Sequence, residues 1–460
     1  MPRTPRTRRV IGSTRVRLRR CAGLVVLALA WLPQSGSAQG LLRDSGIEHG
    51  LDILAQPLLV AAGLPANRTR VLVVNDLSLN AFVAGYDTVF INAGLILKVD
   101  NAAELQAVIS HELAHIANGH IIQRGVNFQN SRTAAGVGIL LGIATGLAAG
   151  NPSLGIGLAA GGVSTAQRAF LTHTRAEEAS ADKSGMRFLA RAGIDPKAMA
   201  GVLNHFAGQE ALMPALQDPY AVSHPLTRDR LRAVESTAAA LSPRDGETAE
   251  VEYWFDRLQA KLSAYLRSPA YTLQRLSPED MSDAAQIERV LAYFKTPDMA
   301  AARKPMDALL EAHPNDPYLH ELSGWIEIES GNVAPAIAAY RRAVELAPND
   351  SLILAGFGRA LLANGQPGTD AEALTVLKRA RNREAFSAGL LRDLAIAYAK
   401  ADQPGMASLA TAERYALSGK LADAGLHARR AIGQLPVGSP GWAQAEDLIR
   451  AANAATTKRR

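Results

Sequence analysis

The five residues His111-Glu112-Leu113-Ala114-His115 decide how this chain is read. A helix advances about 100° per residue, so positions four apart project from nearly the same face. Two imidazoles so placed can share one Zn²⁺, and the carboxylate beside the first can reach a water held there. The flanks support a helix: Leu105, Val108, Ile109, Leu113 and Ile116 form an apolar stripe through 102–118, and Gly119 is a natural stop. Two histidines leave such a centre a ligand short. A candidate stands in Arg175-Ala176-Glu177-Glu178-Ala179-Ser180-Ala181-Asp182, where Glu178 and Asp182 are i and i+4 on a second helix. Glu178 can bind the cation while Asp182 accepts the free N–H of a ligating histidine, which fixes the tautomer and orientation of that ring. Gly185, one turn on, lets this helix approach the first, and Glu177 is expected in solvent.

The N-terminus reads as an address. Eight arginines and no acid precede Cys21, an apolar run Cys21–Leu32 follows, and Gly36-Ser37-Ala38 offers small residues for cleavage after Ala38. Residues 1–38 are therefore expected to be a signal peptide, with an apolar run too short to be a lasting anchor. The eight arginines exceed the formal charge of +6, and removing them leaves −2. The basic balance belongs to the leader, and no nucleic-acid footprint remains. Cys21 is the only cysteine, so the exported chain can form no internal disulfide and no thiolate metal site.

Two textures follow the leader. Residues 39–265 mix helices with short β-branched runs, Thr69–Val74 and Thr88–Asn92, the second entered through a Gly85-Tyr86-Asp87 turn. A Ser- and Pro-rich stretch, 266–285, reads as a linker. Residues 286–455 read as helix pairs. Pro314-Asn315-Asp316 recurs as Pro348-Asn349-Asp350, 34 residues on. Gly324, Ala336, Tyr340, Ala343 and Pro348 fall at the small, aromatic and terminator positions of a tetratricopeptide repeat (TPR). Four or five such repeats form a shared core and a concave surface. The expected fold is mainly α with a small β-sheet, a metalloprotease domain followed by an all-α solenoid.

The motifs carry a family resemblance. Asn80-Ala81-Phe82, Asn92-Ala93-Gly94-Leu95, the His-Glu-x-x-His helix, Thr174-Arg175-x-x-Glu178-x-x-x-Asp182-x-x-Gly185, Ala192-Gly193-Ile194-Asp195-Pro196 and His224-Pro225 occur in the order seen in M48 metallopeptidases, which the chain resembles over nearly its whole exported length. The resemblance implies a gluzincin-type domain with His111, His115 and Glu178 as ligands of one Zn²⁺ and Glu112 as general base. Asp182 matches the family's Asp, at times described as a proton donor; the orienting role is favoured here. Ser180 replaces an acid common before the Ala-Asp pair. His224, in a loop that lies beside the zinc in the family, is read either as an extra ligand that shuts the resting site or as the oxyanion donor. Arg230 fits the same pattern as a structural or substrate-facing cation.

A zinc endopeptidase of the periplasm that removes misfolded or stalled outer-membrane proteins is the expected function, docked to clients or assembly machinery through its repeats. The alternative is a repeat-based chaperone or assembly adaptor with little-used protease activity. Clients are expected to bind as extended strands along Thr88, Val89, Phe90, Ile91 and Asn92, taken as a sheet edge. The Gly-, Ala-, Leu- and Ile-rich segment 134–163, divided by Asn151-Pro152, is expected to be a shielded hairpin or a peripheral membrane contact. His120 and His173 are expected to cap or pack.

Overall fold

The computed structural model describes residues 40–84, 87–123, 173–213, 216–241, 249–384 and 387–457. The expected signal peptide 1–38 and the segment 134–163 lie outside the described residues. Residues 39–460 make one unit.

β1 (Leu41–Leu42) leads into α1 (Ser45–Ala62), whose N-terminus is closed by Asp44 accepting the Ile47 N–H at 2.9 Å. Its Ile47, Leu51, Leu54 and Leu58 recur at helical spacing and are fully buried. Each such side chain contributes about 1.5–3 kcal/mol of burial free energy. β2 (Arg70–Val74), β3 (Ala81–Ala84) and β4 (Thr88–Asn92) complete a sheet of order β1-β2-β4-β3. β2 and β4 are parallel, pairing Val71 with Val89 and Val73 with Ile91; β3 and β4 are antiparallel, pairing Ala81 with Ile91 and Phe82 with Phe90.

This topology overturns the substrate-edge expectation. Thr88, Val89, Phe90, Ile91 and Asn92 lie in the sheet's interior, hydrogen-bonded on both sides and buried throughout. Val89 and Ile91 face the main core, while Phe90 joins Leu72 and Val74 on the opposite face and stacks on Phe82 at 5.3 Å. An unbroken Val-Phe-Ile run is what a strand covered on both faces looks like. The edge beyond β4 is β3, and among the described residues no strand pairs with its outer side.

Asn92 passes directly into the short α2 (Ala93–Ile96) and then α3 (Ala102–Ala117), capped by Asn101 accepting the Glu104 N–H at 2.9 Å. α4 (Arg175–Arg191) packs against α3 and starts in a capping box: Thr174 and Glu177 exchange backbone and side-chain hydrogen bonds. Glu177, expected in solvent, therefore closes a helix end. At Gly185 a Cβ would lie 3.3 Å from the His111 backbone nitrogen, tighter than almost all real contacts. This is the close approach expected of that glycine. α5 (Ala198–Asn204), α6 (Pro219–Ser223) and α7 (Arg228–Ala240) finish the layer around the site.

α8 (Ala249–Leu266) packs on α1 from one side and on α10 (Asp283–Lys295) from the other. Between them the stretch expected as a linker carries α9 (Pro269–Arg275), with Thr272 buried. The pairs continue as α11 (Met299–Ala312), α12 (Pro317–Glu329), α13 (Val333–Leu346), α14 (Ser351–Asn364), α15 (Pro367–Arg381), α16 (Ala388–Lys400), α17 (Pro404–Leu417), α18 (Leu421–Ile432) and α19 (Pro440–Thr457). Asp316 and Asp350, 34 residues apart, do the same work. Each uses Oδ1 to accept two N–H groups of the helix it opens, at 2.8 and 3.1 Å and at 2.9 and 3.0 Å. The fold is mainly helical with a small sheet and a helical repeat region, as the sequence implies.

Charged groups tie the helix pairs to the elements before them, with Lys261 standing between Asp44 and Glu321. Lys261 reaches Asp44 at 2.7 Å, Arg257 reaches Asp316 at 2.5 Å, and Glu384 accepts from Arg43 at 2.5 Å and from Arg70 at 3.3 Å. His49 stacks on Tyr318 at 4.4 Å. Among the described residues, no helix is long and apolar enough to cross a membrane.

Candidate metal centre

α3 and α4 bring His111, His115 and Glu178 together, and the end of α6 adds His224. All four are buried. His111 Nε2 lies 3.1 Å from His115 Nε2, 3.2 Å from His224 Nδ1 and 3.4 Å from a Glu178 oxygen. The other Glu178 oxygen lies 3.4 Å from His115 Nε2 and 3.0 Å from His224 Nδ1. Bonds of 2.0–2.1 Å around a tetrahedral cation put neighbouring donors about 3.3 Å apart, the spacing found here. Three imidazole nitrogens and a carboxylate aimed at one point have too few protons between them to satisfy each other. The donor set fits a divalent cation.

The supports are equally specific. His111 Nδ1 faces Asp182 Oδ1 at 3.0 Å. Arg230 grips Asp182 through both oxygens, Nε to Oδ2 at 2.7 Å and Nη2 to Oδ1 at 2.8 Å, and its Nη1 stands 2.7 Å from Glu178 Oε2. The same Nη1 donates to the His224 carbonyl at 3.2 Å. Arg230 thus ties both carboxylates to the loop that carries His224. Burial works against ionising these groups, but their partners prevail. His111 and Arg230 hold Asp182 down to about 2; His224 and His111 hold Glu178 well below the usual carboxylate range; Glu178 and Asp182 raise His111 to about 10. Burial keeps His115 well below the ordinary histidine range, against the Glu178 contact.

Glu112, one residue past His111, is fully buried, and its Oε1 lies 3.4 Å from His224 Nε2. His224 therefore spans the space between the ligand cluster and Glu112, one ring nitrogen facing each. A water poised between cation and carboxylate would need that space. Asp182 touches His111 and Arg230.

Two further histidines join the cluster. His120 Nδ1 lies 2.9 Å from His115 Nδ1, and the His173 ring lies 3.6 Å from the His115 ring, centroid to centroid. The His173 N–H also donates to the Ser223 carbonyl at 2.8 Å, next to His224. The signal for His120 was its place directly after the Gly119 stop, which turns the chain back beside His115; His173 sits just before the Thr174 cap.

Residues 48–238 match peptidase family M48. The chain is 26% identical over 88% of its length to the beta-barrel assembly-enhancing protease of Escherichia coli K12, covering 82% of that protein. It is 24% identical to the protein of the same name from Yersinia pestis, over 86% of this chain and 81% of the relative. A putative beta-barrel assembly-enhancing protease of Vibrio cholerae is 27% identical over 46% of this chain and 44% of its own length.

Proposed function

We propose that this chain, a metallopeptidase carrying a family M48 domain, is a zinc endopeptidase that clears misfolded or stalled β-barrel proteins in the periplasm. The observation that carries the reading is the convergence of His111, His115 and Glu178 on one point with Glu112 beside it. A nitrogen- and oxygen-only donor set in a chain with no exportable cysteine favours zinc over softer ions. When bound, zinc polarises the scissile carbonyl and makes water more acidic. Glu112 takes the proton from the attacking water and hands it to the departing amine. Asp182, fixed by Arg230, holds the His111 ring in the tautomer that presents Nε2.

His224 is read as the fourth donor of a resting site, because its Nδ1 stands 3.2 Å from His111 Nε2 and 3.0 Å from Glu178 Oε1 while its Nε2 faces Glu112 at 3.4 Å. Activity then requires the His224 loop to move aside. An extended client strand would pair with the outer side of β3, Ala81–Ala84, in place of the interior β4. The strand-rich names of the relatives favour clients of that kind. The helix pairs of 286–455, read as tetratricopeptide repeats, would dock the client or its assembly machinery, and the leader 1–38 would direct export. The blocked fourth position also favours a second reading, an assembly adaptor whose protease is seldom engaged.

Cleavage of an unfolded β-barrel protein by wild type and Glu112→Gln, with and without zinc, tests the proposal. The enzyme reading requires zinc-dependent products from wild type alone. Equal products from both would end it, and full rescue of barrel assembly by Glu112→Gln would support the adaptor.

A further inference from the structure

A ligating imidazole is only as well aimed as the group holding its other nitrogen. His111 has Asp182 and, behind it, Arg230. His115 instead has an imidazole at its Nδ1: Nδ1 of His120 lies 2.9 Å away. The approach depends on a break in the chain. In an unbroken helix, residues five apart point about 140° away from each other. Here α3 ends at Ala117, Gly119 follows with a φ of 72°, the left-handed conformation that glycine adopts without cost, and a new turn starts at His120. That reversal lays the His120 ring edge-on to His115, centroids 5.0 Å apart and planes at 69°. Edge-on rings with two nitrogens 2.9 Å apart are a hydrogen bond, not packing.

We propose that His120 is a positioning residue of the metal site, its Nδ1 accepting the Nδ1–H of His115. A neutral imidazole has one N–H and one lone pair. Placing the proton on Nδ1 leaves the lone pair on Nε2, the atom that faces His111 Nε2 at 3.1 Å and Glu178 Oε1 at 3.4 Å. His120 must then carry its own proton on Nε2. A histidine pair thus does for His115 what the Asp182–Arg230 pair does for His111. The inference rests on the reading of His115 as a ligand and deepens it.

The test is zinc affinity of the full exported chain, measured by chelator competition, in wild type, His120→Phe, His120→Asn and His115→Ala. Phenylalanine keeps the bulk and removes the acceptor, so affinity should fall about 10–100-fold. Asparagine offers Oδ1 where Nδ1 was and should stay within a few-fold of wild type. The visible spectrum of the Co²⁺-loaded protein should change in the phenylalanine variant and be restored in the asparagine one. Wild-type affinity in a folded His120→Phe protein would overturn the proposal. Should that variant fail to fold, ¹⁵N-histidine spectra of zinc-loaded wild type decide: a coupling between two Nδ1 nuclei is expected, and its absence overturns the assignment. If His115→Ala binds zinc as wild type does, the ligand reading itself fails, a result distinct from either.

Discussion

The two halves of the molecule are held together by opposite means. Around the cation site the interior is polar: His111, His115, Glu112, Glu178, Asp182 and His224 are all buried, and each is tolerable only because another neutralises or hydrogen-bonds it. In the repeats the interior is mostly apolar, Leu354, Ala360, Leu361, Ala373 and Leu377, with isolated polar groups such as the Asp350 cap and the buried Asp393 paired with Arg359. The first arrangement is collective, so removing one member leaves others uncompensated. The second is a sum of neighbouring contacts, so damage is graded and local.

The comparison breaks most sharply at the site. His111→Ala should abolish bound metal by elemental analysis and lower proteolysis to background. Glu112→Gln should keep the metal and lose about 10²–10⁴ in rate. Metal retained in His111→Ala would mean the cluster is not a ligand set. Neither change should alter the repeats' helicity.

The next largest effect is expected where the halves meet. Lys261 is buried against Asp44 at 2.7 Å and Glu321 at 3.7 Å. Lys261→Ala leaves the Asp44 carboxylate buried without its cation and should cost about 3–5 kcal/mol in denaturant unfolding. A cost below about 1 kcal/mol would show that the interface behaves like a surface.

How much of this contrast is legible in the sequence follows from the range of the interactions. The His-Glu-x-x-His helix is readable because its two histidines and its glutamate lie within five residues, and the repeats because Asp316 and Asp350 serve the same cap one period apart. Glu178 is legible through its i, i+4 relation to Asp182, although 63 residues separate it from His115. The sheet edge is not. Ala81-Phe82-Val83-Ala84 is short, half alanine and weak in β propensity, so β3 is invisible beside the stronger Thr88–Asn92. Which strand lies outermost depends on pairing between segments, although the unalternating Val-Phe-Ile run of β4 did signal an interior place. His120 is hidden by its spacing, since five residues on a helix point apart until Gly119 breaks it.

A mid-sized effect separates graded from collective damage. Leu361 is fully buried in the repeat core. Leu361→Ala should cost about 2–5 kcal/mol by transfer and cavity terms. Zinc stoichiometry in the remaining folded protein should be unchanged. Loss of metal together with repeat stability would show that the two halves fold as one cooperative unit and erase the distinction.

The smallest effect tests whether the interface shares the site's dependence on charge. Burial, reinforced by Asp44 and Asp350, holds the Glu321 carboxyl up to about 7 even though Lys261 and Ser45 pull it down. The ordinary value is 4.5. Between 4.5 and about 7 the unfolded chain has lost this proton while the folded one keeps it, so stability falls as pH rises across that window. Below 4.5 both states are protonated and the penalty vanishes; above about 7 it is fully present. Glu321→Gln keeps the side chain neutral in both states. Unfolding midpoints measured from pH 4 to pH 8 should therefore fall less steeply in Glu321→Gln, with the variant gaining on wild type toward pH 8. Parallel curves would mean that Lys261 keeps Glu321 ionised, and that the interface is held by a fully charged trio in the manner of the metal cluster.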